Sequence, residues 1–285
     1  MSRPVADWRS LLFVPGNQPR LIEGAHKRGA DALILDLEDA VPVPHKPAAR
    51  AGLVEAVRLL EQQGLDVVVR VNADSPSLLE DLQACRAAAV STVMLPKVAA
   101  PEQLAAFEAH LASVTDASGP VFDPALIALI ESPAGVFSAN AIAALPRVTA
   151  LALGSEDLAL AMGVAPSAAS LTLPCQWLAL AAAAHGKRGY GLPASLADFS
   201  DQAALLGAAR TARATGLHGA LCIHPAQVVM VNQAFAPSAA DMDWARQVVE
   251  AWAEAREGVA RLGETMIDRP VIERARLLLQ RGNRP

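Results

Sequence analysis

The sequence contains few aromatic residues and few cysteines, and both scarcities narrow the classes of protein it can encode. Phe, Trp and Tyr make up 4% of the chain, so aliphatic side chains must supply most of the core. Cys85, Cys175 and Cys222 lie far apart and match no metal-binding spacing. We therefore expect three reduced thiols in the core of a cytosolic protein, not a disulfide framework or a zinc site.

The chain also lacks blocks of positive charge and recognisable membrane segments. Its 24 Lys and Arg are outnumbered by 29 Asp and Glu, which gives a formal charge of −5 and argues against nucleic acid or an anionic membrane as a partner. No apolar stretch of about 18 uncharged residues has the polar flanks of a membrane span. The N-terminus MSRPVADWRS has no apolar signal region. These absences predict a cytoplasmic protein.

Eight short apolar segments alternate with Ala/Leu-rich segments of helical spacing, and this alternation predicts a parallel sheet with right-handed crossovers. An open dinucleotide-binding sheet should show G-x-G-x-x-G after its first strand, but here that strand runs into FVPGNQPR. Eight units fit an α/β fold of the (β/α)8 TIM barrel type better. The predicted strands are Arg9–Val14, Ala32–Leu37, Asp66–Val71, Thr92–Pro96, Ala125–Ile130, Ala150–Gly154, Lys187–Gly191 and Gly219–Ile223, and the clearest helices are Ala48–Gln63, Leu78–Ala89, Pro101–Ser113 and Asp201–Thr215.

The residues after the eighth strand are too few for a second domain of ordinary size. We predict a barrel domain over residues 1–232 and a C-terminal helical extension over residues 233–285. Pro237–Ser238 resembles a helix entry before a long amphipathic helix, Asp241–Ala260, and Pro270 is expected to start a last helix, Val271–Gln280. Such an extension is expected to pack across the barrel or to reach a neighbouring subunit.

Carboxylates end several of the predicted strands, and Glu131 and Asp157 form the most informative pair. They follow the fifth and sixth strands, and neighbouring barrel strands lie about 5 Å apart, so both side chains can reach one ion. Mg²⁺ takes one or two protein carboxylates and completes its coordination with water and substrate oxygens. The pair therefore predicts a magnesium site. The alternative is that these acids cap the following helices or pair with arginines at the rim.

Arg70 ends the third predicted strand, DVVVR, where a buried guanidinium needs an anionic partner. That partner is either a substrate carboxylate or enolate, or an internal salt bridge to Asp36 or Glu38. Strand alternation places Asp36 and Glu38 on one face and Asp39 on the other, unless the strand ends before them. The acidic cluster could order water around an ion, orient Lys46 and Arg50, or simply form a solvated strand end.

Three further polar residues follow predicted strands. Arg20 lies in FVPGNQPR, where Gly16 permits close backbone approach to an anion. Lys97 ends VMLPK at the same catalytic face, or is an exposed lysine at its rim. His224 is followed by Pro225, so a structural turn is at least as well supported as a role as general base.

Taken together, these segments resemble the citrate lyase β-subunit family of the aldolase/citrate lyase superfamily, which includes malyl-CoA and citramalyl-CoA lyases. The resemblance implies a Mg²⁺-dependent (β/α)8 barrel that cleaves or forms a C–C bond in citryl-, malyl- or citramalyl-CoA-type substrates. It also implies a homotrimer or a hexamer. The matching stretches are RSLLFVPGNQPR, GADALILDLEDAV, VVRVNA, MLPKV, ALIESPAGV, LGSEDLA, CIHPAQV and MIDRP.

The resemblance also implies a role for each site residue. Glu131 and Asp157 are expected to bind the metal, with Glu131 beside the substrate. Arg70 is expected to bind the substrate carboxylate and stabilise the enolate, and Asp39, with Glu38, to order water on the metal. Asp268 is expected to be a catalytic acid donated to a neighbouring subunit. Arg20 and Lys97 complete the predicted substrate-binding set.

Some positions depart from the family pattern. Ala220 stands where the family commonly has lysine, Gly191 where it has aspartate, Cys175 where it has arginine, and Gly263-Glu264-Thr265 replaces Asp-Gly-Lys. We expect these changes to lie near the CoA-facing periphery while the metal core is intact.

The main hypothesis is therefore a Mg²⁺-dependent lyase that cleaves a 2-hydroxy acyl thioester and releases a 2-oxo acid. One alternative is an aldolase acting on a free 2-oxo or 2-hydroxy acid, and another is a non-catalytic barrel that binds a 2-oxo acid.

Overall fold

The computed structural model describes residues 8–114, 121–255 and 260–282. Within these residues, eight strands form a single parallel sheet in which each strand pairs with its neighbour in sequence and the first also pairs with the eighth. The prediction of the strands is confirmed to within two residues at each end. The strands are β1 (Ser10–Pro15), β2 (Ala32–Asp36), β3 (Asp66–Arg70), β4 (Thr92–Leu95), β5 (Ala125–Ile130), β6 (Val148–Leu153), β7 (Arg188–Tyr190) and β8 (Ala220–Cys222).

The sheet closes between β7 and β8. Tyr190 and Gly219 form a parallel bridge, the Gly191 N–H donates to the Gly219 carbonyl at 3.0 Å, and the His218 N–H donates to the Gly189 carbonyl at 2.8 Å. Closure pairs the edges that an open sheet leaves exposed. The predicted (β/α)8 barrel with a C-terminal helical extension is confirmed.

Helices follow the strands and bury one apolar face each. On the second helix, buried residues recur at helical spacing, for example Leu53, Val57 and Leu60. No helix among the described residues is long and apolar enough to cross a membrane. The helices are α1 (Pro19–Glu23), α2 (Lys46–Gln62), α3 (Ser75–Ala87), α4 (Pro101–Val114), α5 (Pro133–Ala143), α6 (Ser155–Ala161), α7 (Ala168–Ala184), α8 (Gln202–Ala214), α9 (Pro225–Phe235), α10 (Ala239–Glu254) and α11 (Arg269–Gly282).

The three cysteines are buried and unpaired, as predicted. Burial disfavours the thiolate and raises the pKa of Cys175 and of Cys222 to about 12. These thiols are therefore neutral packing groups and not nucleophiles.

The chain divides into two compact units, Met1–Gln233 and Ala234–Pro285. In the second unit, Ser238 and Asp241 form a capping box at the start of α10, and an antiparallel hairpin joins β9 (Ala260–Leu262) to β10 (Thr265–Ile267). Gly263, at a φ of 59°, makes the turn.

The predicted helix Asp241–Ala260 is too long, because α10 ends at Glu254 and Ala260 starts a strand; residues 256–259 lie outside the described chain. The hairpin lets Ala260 and Ile267 bury against Val248 and Ile272 in one apolar cluster. The helical periodicity of the sequence could not reveal that this segment leaves the helical conformation in order to pack its apolar residues.

A buried carboxylate on α3 fixes the segment after β3. Asp81 is fully buried and accepts hydrogen bonds from the Asn72 N–H at 2.7 Å, from the Asn72 side-chain amide at 2.6 Å and from Arg50 Nε at 2.6 Å. The Asn72 amide also donates to the Leu37 carbonyl at 2.9 Å. Asp81 therefore ties the carboxyl ends of β2 and β3 to the helix layer.

We predict that Asp81→Ala lowers the free energy of unfolding by about 3–5 kcal/mol, because it removes the buried partner of Arg50 Nε and of the buried Asn72 N–H. Glu80→Ala is the matched control, since Glu80 pairs with the same Arg50 but is exposed, and it should cost less than about 1 kcal/mol. Urea unfolding of both variants measures the difference, and equal losses would contradict this role for Asp81.

Candidate active site

A cavity of about 240 Å³ lies at the carboxyl ends of the barrel strands. This end of a (β/α)8 barrel is where catalytic groups from separate strands meet. Arg70 ends β3 and Glu131 follows β5. The residues that line the cavity are Phe13, Pro15, Asp36, Ala40, Arg70, Leu129, Glu131, Gly154, Ser155, Glu156, Asp157, Leu196, Leu221 and Ile223.

Glu131 is held on both sides by backbone. The Lys97 N–H donates to Glu131 Oε2 at 2.8 Å. On the other side, a Cβ added to Gly154 would lie 2.6 Å from Glu131 Cγ and 2.8 Å from Oε1, closer than atoms pack. The absent side chain of Gly154 therefore makes the space that Glu131 occupies.

Burial raises the pKa of Glu131 to about 7, since the residue is only 7% exposed. The Lys97 N–H and the charge of Arg70 lower the pKa, whereas the charges of Asp157 and Glu38 raise it. A carboxylate pair of this kind is costly to ionise fully without a counter-cation.

Asp157 lies in the first turn of α6, whose N-cap is Gly154. Its exposed carboxylate makes no hydrogen bond or ion pair with a residue that the structure describes. The alternative that Glu131 and Asp157 cap the following helices is wrong, because Ser132 caps α5 and α6 has no side-chain cap. Both acids remain available at the cavity.

Arg70 is nine-tenths buried and bridges the acids of β2. Its Nε donates to Asp36 Oδ1 at 2.8 Å and its Nη2 to Asp36 Oδ2 at 2.6 Å, while Nη1 lies 2.9 Å from Glu38 Oε2. Burial alone would lower the pKa of Arg70, but the hydrogen bonds and charges of these acids raise it. The internal salt bridge considered from the sequence is present, and Arg70 keeps further N–H groups at the cavity wall.

Lys97 connects the acidic cluster to Glu131. Its ammonium contacts Glu38 Oε1 and lies 3.6 Å from Asp39 Oδ1, and it is half exposed. The hydrogen bond with Glu38 raises the pKa of Lys97. Asp36 and Glu38 are buried and Asp39 is exposed, but β2 ends at Asp36, so strand alternation does not account for the positions of Glu38 and Asp39.

The donors at this cavity suit a hard divalent cation. Across residues 8–114, 121–255 and 260–282, no three or more His, Cys, Asp or Glu residues are grouped as a metal cage, and Mg²⁺ does not need one because it keeps several waters. Ser155 Oγ lines the cavity wall and is buried without a hydrogen-bond partner. Two carboxylates and an unpartnered hydroxyl are oxygen donors of the type that Mg²⁺ takes, directly or through water.

Two residues that the sequence did not single out anchor the loops around the cavity. Glu156 Oε1 accepts hydrogen bonds from Ser195 Oγ and from the Leu196 N–H, both at 2.7 Å. The buried Gln227 donates to the Leu196 carbonyl at 2.8 Å and accepts from the Ile223 N–H at 2.8 Å. Glu156 is adjacent to Asp157 in LGSEDLA, which was the available signal; nothing in the sequence pointed to Gln227.

Arg20 and His224 are not among the residues that line the cavity. Arg20 is exposed on α1. His224 stacks on Phe199, with ring centroids 4.0 Å apart, and accepts a hydrogen bond from the Ala226 N–H at 3.2 Å. Asp268, in the second compact unit, accepts a hydrogen bond from the Val271 N–H at 3.2 Å at the start of α11.

The acidic cluster does not orient Lys46 and Arg50, which was one of the possibilities. The Lys46 ammonium binds the Asn72 side chain, and Arg50 binds Glu80 and Asp81. Both cations are therefore used by the segment after β3 and by α3.

The expectation that the departures from the family pattern lie near a CoA-facing periphery is wrong for three positions. Cys175 and Ala220 are fully buried. A Cβ on Gly191 would meet Leu153 Cβ at 3.1 Å and a Leu217 methyl at 3.4 Å. All three positions belong to the apolar body of the barrel.

Comparison with known proteins places this site in a family. A profile of the HpcH/HpaI aldolase/citrate lyase family matches residues 9–225. The chain belongs to the HpcH/HpaI aldolase/citrate lyase family. The predicted relationship to citrate lyase β subunits and the predicted carbon–carbon lyase class are confirmed by this membership and by the relatives described next.

Full-length relatives support the assignment. The chain is 34% identical over 280 residues to the citrate lyase β subunit of Escherichia coli K12, covering 96% of this chain and 93% of that protein. It is 32% identical over 290 residues to a (3S)-malyl-CoA thioesterase of Cereibacter sphaeroides, covering 99% and 95%.

Solved structures agree. A crystal structure of Mycobacterium tuberculosis CitE with magnesium, acetoacetate and coenzyme A is 31% identical, with a TM-score of 0.78 over 97% of this chain and 98% of that one. A citrate lyase β subunit from the same organism, complexed with oxaloacetate and magnesium, is 31% identical with a TM-score of 0.66, covering 80% and 96%. Both complexes hold the ion that the carboxylate pair predicted.

We predict that Gly154→Ala lowers turnover, because the added methyl group displaces the Glu131 carboxylate, and lowers stability by about 1–3 kcal/mol through overpacking. Gly52→Ala on α2 is the control, since its Cβ would meet nothing within 4 Å, and it should be neutral or stabilising by about 0.5–1 kcal/mol. Turnover and thermal unfolding of both variants measure this. Wild-type turnover in Gly154→Ala would show that Glu131 does not need this space.

Proposed function

We propose that this protein is a Mg²⁺-dependent lyase that cleaves a C–C bond in a 2-hydroxy acyl thioester of the malyl-, citramalyl- or citryl-CoA type and releases a 2-oxo acid. The observation that carries the proposal is the placement of Glu131, Asp157 and Arg70 around one cavity at the carboxyl ends of the strands. Magnesium, small oxo acids and coenzyme A in the CitE complexes, and the names of the relatives, support it.

Glu131 and Asp157 are the residues that would hold the ion, with Ser155 Oγ beside them. When bound, Mg²⁺ supplies Lewis-acid polarisation of the substrate's hydroxyl and carboxylate oxygens. Glu131 is fixed before substrate arrives, because Lys97 and Gly154 leave its carboxylate little freedom. This preorganisation keeps the cost of arranging the ligands out of the reaction step.

Arg70 is the group that would hold the developing negative charge. In the reaction, the substrate hydroxyl loses its proton and the C–C bond breaks. The electron pair of that bond passes to the thioester fragment, which becomes an enolate and is then protonated. Asp36 and Glu38 fix the guanidinium, so Arg70 can present its remaining N–H groups to the substrate carboxylate or the enolate oxygen without reorganising. The apolar walls Phe13, Leu196 and Leu221 exclude water from that side.

The departures from the family pattern do not favour a free-acid aldolase. The buried positions of Cys175, Gly191 and Ala220 place those changes in packing and not in a recognition surface. We propose a thioester as the substrate class because the coenzyme A in the CitE complex and the name of the Cereibacter relative support it. Asp268 as an acid donated between subunits of a trimer or hexamer, and Asp39, Arg20 and Lys97 as further catalytic or substrate groups, remain part of the proposal.

A substrate panel with Mg²⁺ tests the reaction. We expect malyl-, citramalyl- or citryl-CoA to release a 2-oxo acid, and the free acids malate, citramalate and citrate to release none. Cleavage of the free acids alone would replace the proposal with an aldolase. Release of free CoA thiol without a 2-oxo acid would instead indicate thioester hydrolysis, the activity that the name of the Cereibacter relative states.

We further predict that Glu131→Gln and Asp157→Asn each lower Mg²⁺-dependent turnover by about a hundredfold or more, because the stabilisation that an ion supplies is worth several kcal/mol. Glu55→Gln on α2 and Asp243→Asn on α10 make the same chemical changes at exposed surface positions and should turn over at wild-type rates. Wild-type turnover in either site variant would remove that residue from the metal site.

A further inference from the structure

Lys97 has an unusual backbone conformation. Its φ of 57° lies in the left-handed region, which it shares with Ala89, at 52°, among the non-glycine residues that the structure describes. Side chains adopt this region at a cost, and β-branched ones adopt it least readily. Such a conformation persists when its surroundings hold it, and it often marks a functional position.

In this conformation, the Lys97 N–H does not bond to a neighbouring strand. The Lys97 N–H donates to Glu131 Oε2 at 2.8 Å, whereas the next amide, Val98 N–H, donates to the Leu129 carbonyl at 3.1 Å and so returns to β5. The bond to Glu131 therefore comes from an amide that lies between the end of β4 at Leu95 and the Val98 N–H, which bonds to β5.

Gln103 on α4 holds the turn from outside. Its Nε2 donates to the Lys97 carbonyl at 3.1 Å, and its Oε1 accepts from the Ala99 N–H at 2.6 Å and from the Ala100 N–H at 3.0 Å. These bonds fix the Lys97 carbonyl and the peptide groups that follow it in the chain.

The ammonium of Lys97 serves a different contact. It pairs with Glu38 and Asp39 and is half exposed. The hydrogen bonds of the Lys97 backbone and of its side chain thus go to different carboxylates, and substitution can separate them.

We propose that Lys97 is a positioning residue whose left-handed backbone orients Glu131 for divalent metal binding, independently of its ammonium group. The inference rests on the proposed role of Glu131 as a metal ligand. Partners that orient a ligand typically change metal affinity by about 10–100-fold when they are lost.

Mn²⁺ binding to the intact protein, followed by electron paramagnetic resonance and by titration calorimetry, tests the inference. Lys97→Gly and Lys97→Asn lose the ammonium but accept a positive φ, so they should bind Mn²⁺ within about threefold of wild type. Lys97→Val resists a positive φ and should bind at least about tenfold more weakly. Gln103→Ala leaves residue 97 unchanged but removes the side-chain hydrogen bonds that hold the turn, and should weaken Mn²⁺ binding by at least about threefold. Because Gln103 is exposed, this variant still tests the inference if Lys97→Val does not fold.

Ala89→Val is the matched control for backbone strain, since Ala89 has nearly the same φ, is exposed and lies outside the cavity; it should lose stability but bind Mn²⁺ as the wild type does. Equal affinities for the valine, glycine and asparagine variants at position 97 would overturn the inference, as would unchanged binding by Gln103→Ala. If Glu131→Gln binds Mn²⁺ as tightly as wild type, the metal-site assignment fails instead, and the two failures are thereby distinguished.

Discussion

The site depends on the concentration of carboxylates where the barrel strands end. A buried charge is tolerated only when it is paired, and Arg70 pairs Asp36 and Glu38 in this way. Neither Glu131 nor Asp157 has an ion pair of this kind with an arginine or lysine that the structure describes. The charge of Asp157 adds to the effect of burial, which raises the pKa of Glu131 to about 7. Arg70 and the Lys97 N–H offset part of this negative charge, and a divalent ion or a proton would neutralise the rest.

The groups that hold the cavity residues in place include both backbone and side chains, and they are distant from one another in sequence. Gly154 contributes an absent side chain and Lys97 a turned amide, and together they leave Glu131 a narrow range of positions. Glu156 and Gln227 fix the loop that carries Leu196, an apolar wall of the same cavity. The chemistry of a few acids therefore relies on a rigid frame, in agreement with the rule that a catalytic site works best when its groups need not reorganise.

Much of this could be predicted from sequence, because burial on both faces leaves a direct record. Each parallel strand is an apolar run, and an acid or arginine that ends such a run must emerge at the carboxyl end of the sheet, which located Arg70, Glu131 and Asp157. Hydrogen bonds and packing contacts between residues that are far apart in sequence leave no comparable pattern in the sequence. The sequence placed Asp81 only within the predicted helix Leu78–Ala89 and Gly154 only at the end of the predicted strand Ala150–Gly154, and neither assignment indicates what the residue contacts. The hairpin between β9 and β10 was missed for the same reason. Alanine favours a helix, but Ala260 lies in a strand because its side chain packs in the apolar cluster of the second unit.

The most direct measurement of the central claim is a crystal structure of the protein grown with Mn²⁺, with the ion located by its anomalous scattering. The account predicts one strong peak at the cavity, bonded to an oxygen of Glu131 and an oxygen of Asp157 at about 2.0–2.2 Å, with water or an oxo acid completing an octahedral shell. An ion bound away from these two carboxylates, or a cavity that stays free of metal at saturating Mn²⁺, would contradict it.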